Sequence, residues 1–161
     1  MRRTVFALLA VSGFLLPATI YGARFKSTLK GIPEISVVVE RLDRETPPEG
    51  ITVDDIRAKA ELRLRRNGVN VVNDSRHASL YIRLQCLPVG PTGASACDIL
   101  VEAFQLVHLK FADRDSGAVT WDVASMLITH SRRDVLDEIE NFVDEFSEDY
   151  LEVNPVRPTS H

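Results

Sequence analysis

ITVDDIRAKAELRLRRNGVNVVNDSRHASLYIRLQC, residues 51–86, changes its hydrophobic period part-way along, and that change decides the fold. In its first half Val53, Ile56, Ala60 and Leu64 recur at spacings of three and four, one stripe of an amphipathic helix. Thr52 stands where a side-chain oxygen caps the backbone N–H of Asp55, Ile51 and Ile56 straddle that cap, and Asn67-Gly68 supplies a left-handed stop. The exposed side is basic, with Arg57, Lys59, Arg63, Arg65 and Arg66. In the last third Leu80, Ile82, Leu84 and Cys86 alternate with Tyr81, Arg83 and Gln85, the period of a half-buried strand. Between them Val69 to Asn73 reads as a short strand, parallel by the right-handed crossover rule to the β-branched run Ile35 to Leu42 that precedes the helix. The apolar Val37-Val38-Val39 in that run suits an interior strand covered on both sides.

Further along, Cys97 to Phe111 reads as a long strand with Ile99, Val101, Ala103, Val107, Leu109 and Phe111 on one face, interrupted by Gln105 as a bulge or a hydrogen-bonded amide. A turn at Asp113 to Gly117 leads to a strand over Val119 to Thr129 with Val119, Trp121, Val123 and Leu127 on one face. Ser131 and Asp134 open a second helix, whose Val135, Ile139, Phe142, Phe146 and Tyr150 form its apolar stripe. The element order β-α-β-β-β-β-α predicts an α+β two-layer sandwich, a mostly antiparallel five-stranded sheet with two helices on one face.

The chain has 161 residues, 45% apolar and 26% charged, enough for one domain with a real core. Arg2 and Arg3 precede an uncharged stretch, residues 4–23, with Pro17 and small residues near Gly22 and Ala23: a secretory signal peptide over residues 1–23. Bulky Tyr21 makes the cleavage site poor, and the alternative is an uncleaved inner-membrane anchor of residues 4–23. Residues 24–33 read as a linker, 34–152 as the domain and 153–161 as a disordered tail. The expected location is periplasmic or secreted, with membrane contact only through an uncleaved N-terminal segment. Without residues 1–23, 17 basic residues face 23 acidic ones, a balance that argues against nucleic acid as a partner.

Cys86 and Cys97 are the only cysteines and flank a loop of Pro, Gly, Ser and Thr. Each shares the parity of the apolar residues of its strand. In an antiparallel hairpin two such same-face residues meet at disulfide separation, and an exported chain reaches an oxidising compartment, so a Cys86–Cys97 disulfide is expected. A redox pair would have Cys-x-x-Cys spacing at a helix N-terminus, and a zinc site would need ligands that the scattered His77, His108, His130 and His161 do not supply.

The nine carboxylates of the second helix, from Asp134 to Glu152, read as its solvated side, with Arg57, Arg63 or Arg66 of the first helix placed to face some of them. No Gly-x-Ser-x-Gly, calcium loop or glycine-rich nucleotide motif is present, and Trp121 reads as core. No catalytic, cofactor-binding or metal-binding residue is therefore assigned, and no cofactor is expected.

At GIPEISVVVERLD (31–43), LRLRRNGVNVV (62–72), VEAFQLVHL (101–109), Thr120-Trp121 and DEFSEDYLEVNP (144–155), the chain resembles a group of small exported bacterial α/β proteins without assigned function. More distantly it is similar in fold to small α/β domains of envelope assembly proteins, such as curli-secretion lipoproteins and the N-terminal domain of the Tol-system propeller protein. The resemblance implies an envelope setting; unlike the lipoproteins, this chain has no lipidation cysteine. The expected function is a non-enzymatic interaction or assembly module that contacts an envelope protein whose identity the sequence leaves open. The alternative is a small-ligand binder or enzyme whose site forms only in three dimensions. An uncovered sheet face favours the first, a closed polar pocket the second.

Overall fold

The computed structural model describes residues 19–20, 25–42 and 50–155. Strand β1 (Ser36–Val39), helix α1 (Val53–Arg66), strands β2 (Ala78–Val89), β3 (Ala94–Leu109) and β4 (Arg114–Thr129) and helix α2 (Arg132–Val153) follow in that order. The four strands form a mixed sheet of order β4-β3-β2-β1, with β1 parallel to β2 and the other pairs antiparallel. A two-residue stretch, Thr19–Ile20, pairs antiparallel with the outer edge of β4 opposite Ala124 and Ser125. The signal segment and the tail beyond residue 155 otherwise lie outside the described residues.

The α+β class holds, but the expected strand over Val69 to Asn73 does not form, so the order is β-α-β-β-β-α and the sheet has four full strands in place of the five expected. In that stretch only Val71 makes a parallel bridge with Ile35, through Val72 N–H to Ile35 O and Ile35 N–H to Asn70 O. The chain leaves α1 through the left-handed Gly68 (φ 93°) and reaches the bend around Asp74 within a few residues, too short a run for a ladder. The parallel direction is as expected. β1 is also not covered on both sides: Val37 and Val39 are buried while Val38 is exposed.

Both helices pack on one face of the sheet. Thr52 Oγ1 accepts from Asp55 N–H and Asp55 Oδ2 from Thr52 N–H, each at 3.1 Å, the reciprocal cap that starts α1. Ser131 Oγ accepts from the N–H groups of Arg133 and Asp134 at the start of α2, while Asp134 turns its carboxylate to the Thr129 hydroxyl instead of returning to Ser131. Ile56 and Leu64 of α1, Ile139, Phe142 and Phe146 of α2, and Leu80, Ile82, Ile99, Val101 and Trp121 of the sheet form a single core. The Trp121 and Phe146 rings meet edge to face at 5.2 Å.

Residues 25–33, within the expected linker, join this unit through a 3-10 turn at Lys26–Leu29: Leu29 and Ile32 are buried, and Tyr150 Oη donates to Ile32 O at 2.8 Å. The tail's first residue past α2, Asn154, is held as well, donating to Leu29 O and accepting from Gly31 N–H.

β3 and β4 are each 16 residues, about 54 Å at strand rise, and outrun the helix layer. A bulge between Ala103 and Phe104 moves the register, so that Trp121 opposes Ala103 and Val119 opposes Phe104. Gln105 is beside it, donating to Thr28 O at 3.1 Å and to Thr120 Oγ1. Beyond the bulge a two-stranded ribbon runs to a turn at Lys110–Asp113, ahead of the expected turn at Asp113 to Gly117, with Asp113 at φ 46°. Leu109, Phe111 and Val119, expected on the core face, are exposed: the extra residue Thr120 turns Val119 to the other face, Leu109 keeps its parity on β3 with no described helix over it, and Phe111 falls in the turn.

Candidate functional site

Strand alternation sends Leu80, Ile82, Leu84, Cys97, Ile99, Val101, Trp121 and Val123 toward the helices. The complementary set therefore faces the other way. Among the described residues no helix packs on this second face, which presents Tyr81, Arg83 and Leu87 of β2, Asp98, Glu102 and Phe104 of β3, and Asp122, Met126 and Ile128 of β4.

The register arranges these residues in rows across the strands. The central row runs Val38, Tyr81, Glu102, Asp122, so two carboxylates stand directly opposite one another. Like charges in that position destabilise a sheet. Burial is the main reason that the Glu102 carboxyl is pushed above its ordinary range; Arg83 pulls it back, while Asp122 and Glu40 add to the rise. Tyr81 is likewise raised, first by burial and then by its contact with Glu40. Arg83 spends a guanidinium nitrogen on Asp98 at 3.1 Å, and its Nε has no hydrogen-bond partner.

Apolar groups flank this polar centre. Toward the hairpin loop stand Leu87, Met126 and Ile128, 65%, 60% and 69% exposed; toward the ribbon stand Phe104 and Val119. The Phe104 ring lies over Gly117 so closely that any side chain there would clash. A surface of apolar, acidic, apolar bands suits a partner segment with a basic group between greasy ones.

Cys86 and Cys97, expected to bond, are directly opposed in the β2–β3 register and form a disulfide on the core side. It closes the hairpin beside the 3-10 turn Gly90–Thr92 and is no part of the open face. His77, His108 and His130 stay apart; His108 sits between Asp113 and Asp115, and His161 lies outside the described residues. Among the described residues no cluster of three or more potential metal ligands occurs.

The facing of the two helices is real, through Arg63 instead of Arg57 or Arg66. Arg63 Nε donates to Asp144 at 2.6 Å, Asn67 donates to the same carboxylate at 2.8 Å, and Lys59 pairs with Glu140. The Arg63 hydrogen bond holds Asp144 below the usual carboxylate range. A groove of 340 Å³ beside this pair is lined by Arg63, Asn67, Asp144, Ser147, Glu148 and Leu151, with Arg63 and Asp144 engaged with each other.

One α2 carboxylate departs from the solvated reading: Asp149, 5% exposed, accepts from the Trp121 indole N–H at 2.9 Å and pairs with Lys26. A core tryptophan needs an acceptor, and that was its signal in the sequence. The open-face residues Tyr81, Glu102, Asp122 and Phe104 went unassigned, although the off-parity positions of the alternating strands mark most of them.

No protein-family model and no curated protein matches the chain. Among solved structures it is similar to the PelC dodecamer from Paraburkholderia phytofirmans, at 15% identity and TM-score 0.46 over 88% of this chain and 98% of that one. A single-substitution variant of that dodecamer gives 16% and 0.47 over 84% and 95%. A minor lipoprotein from Acinetobacter baumannii gives 13% and 0.35 over 78% and 95%. The likeness is one of general arrangement. No helix among the described residues is long and apolar enough to cross a membrane.

Proposed function

We propose that the chain is an exported, non-enzymatic interaction module of the cell envelope, which docks a protein partner on the open face of its sheet. The observation that carries this reading is that face itself: large apolar side chains exposed at both ends of an opposed Glu102–Asp122 pair, with no described helix over them. Such a surface is costly to leave wet and costly to leave uncompensated, and a partner segment with a Lys or Arg between apolar groups relieves both costs. The disulfide agrees with an oxidising compartment.

The test is crosslinking in the native compartment through a photoreactive residue in place of Leu87, with Leu62 on the helix side as control. Both positions are exposed. A protein adduct specific to position 87 is expected, and Glu102→Lys abolishes it. No adduct at 87, together with a small molecule that copurifies reproducibly, overturns the reading in favour of a ligand binder.

A further inference from the structure

The outer edge of β4 is one of the two margins of the sheet, the other being the short β1, and it has no full strand beside it. Along its first half the 3-10 turn at Lys26–Leu29 closes in, with Thr28 Oγ1 donating to Thr120 O at 2.9 Å. From Asp122 to Thr129 the strand has no register shift and no proline, and carries exposed Met126 and Ile128. Natural edges of this kind are normally blunted by lysines, prolines, bulges or covering segments. Here the covering segment is Thr19–Ile20, seated antiparallel opposite Ala124 and Ser125. These two residues belong to the stretch read as a signal peptide cut after Ala23. Removal of the leader thus bares an edge already shaped to receive an antiparallel strand.

We infer that the bared edge, from Asp122 to His130, pairs antiparallel with the same edge of a second copy, joining two sheets into one across a two-fold axis at Met126. The inference rests on the export reading, because an uncut leader keeps the edge occupied. The register follows from the chain itself. An antiparallel self-pairing centred on residue 126 sets Met126 against its own copy, Ile128 against Ala124, and Asp122 against His130 at the end of the strand. Apolar groups then face apolar groups, and the carboxylate at one limit of the strip meets the imidazole at the other. A centre at Ala124 would push Ile128 onto Thr120, whose carbonyl Thr28 already holds. A centre at Ile128 would leave half the strip unpaired. The strip is nine residues, about 30 Å of ladder, and the pairing removes the edge as a template for uncontrolled association.

Sedimentation of the processed protein, isolated from its native compartment, tests this. The expected result is twice the monomer mass, with the unprocessed chain in detergent remaining a monomer in the same detergent that leaves the processed form doubled. Met126→Lys brings two ammonium groups together at the axis and returns the processed protein to monomer mass with an unchanged circular dichroism spectrum. Leu87→Lys, two strands away, leaves the mass doubled. Met126→Cys gives a disulfide-linked dimer on a non-reducing gel. A processed protein that stays monomeric at concentrations of hundreds of micromolar, or a Met126→Lys variant that stays dimeric, overturns the inference. Monomer that still crosslinks a partner through position 87 removes the dimer alone; dimer without such an adduct removes the open-face reading alone.

Discussion

Opening the Cys86–Cys97 disulfide should lower the stability of the domain without changing its folded structure. The bonded residues are 11 apart, so the bond closes a ring of twelve residues in the unfolded chain. On the chain-entropy model that constraint contributes about 3 kcal/mol. The native hairpin holds its register without it. Gln85–Asp98 and Leu87–Ala96 pair on either side, and β3 is wedged between β2 and β4. The loss therefore appears in the unfolded state. The urea midpoint falls, the dependence on urea steepens as a more expanded chain exposes more surface, and the native circular dichroism spectrum stays the same. In melting temperature the change is about 10 °C. Cys97 is fully buried and Cys86 nearly so, which keeps reductant from the sulfurs of the folded protein. Reduction has to be carried out in denaturant, followed by refolding in the presence of reductant. Replacing both cysteines by alanine costs more than reduction, since it also empties the space the sulfurs fill. Superposable unfolding curves for the oxidised and reduced forms would refute this reasoning, as would two alkylatable thiols in protein taken from its native compartment.

Asp149→Ala leaves the buried Trp121 indole N–H without that acceptor and should cost about 2 kcal/mol, whereas Asp149→Asn keeps an oxygen for it and costs less than half as much; chemical denaturation ranks the two. The Arg63 hydrogen bond lowers the pKa of Asp144 in the folded state, so its contribution is present above the ordinary carboxylate value and fades as pH falls through the depressed one. Asp144→Asn should flatten that part of the acid limb of a pH series of unfolding midpoints. Glu102 has the opposite sign, since its raised value means that the folded state favours the protonated form. Glu102→Gln should raise the unfolding midpoint at neutral pH, and the difference should vanish in acid where the native carboxyl is already neutral.

The helices were legible because their signals are local. Thr52 and Asp55 cap one another within a turn, and the spacing of Ile139, Phe142 and Phe146 depends on nothing beyond α2. The disulfide was legible because parity within two strands fixes which way Cys86 and Cys97 point. The failures share a different cause. Val69 to Asn73 has the composition of a strand, yet pairing depends on how much room the exit from α1 leaves. The face of Val119 followed from continuing one parity back from Trp121, and the extra residue Thr120 reverses it; Val107 and Leu109 keep their parity on β3 and lose only the helix layer expected to cover them. Asp149 looked like its neighbours on α2, since only the position of Trp121 across the core sets it apart. The open face was present in the off-parity residues, but its central row is a matter of register across four strands, which no single strand's alternation sets.

That central row also bears on what the face is for. Most polar groups of this chain are placed where they relieve a local need: Asp55 caps α1, Asp134 takes the Thr129 hydroxyl, and Asp149 takes the indole. Glu102 and Asp122 do neither. They oppose each other on adjacent strands, and burial makes the charge on Glu102 harder to hold. Arg83, the nearest cation by register, is turned to Asp98. A Thr or Gln at either position would serve the isolated sheet better, because cross-strand carboxylates repel and contribute no packing. Local costs of this kind are found where a surface answers to something outside the fold. A basic residue from a partner, entering between the Leu87–Met126–Ile128 patch and Phe104, would convert the repulsion into two charge-assisted contacts while the apolar flanks exclude water around it. The same substitution therefore has opposite consequences in the two settings. Glu102→Gln should make the free protein more stable and, if the proposed docking holds, weaken the crosslink at position 87, whereas a purely structural role for the pair would leave that crosslink unchanged.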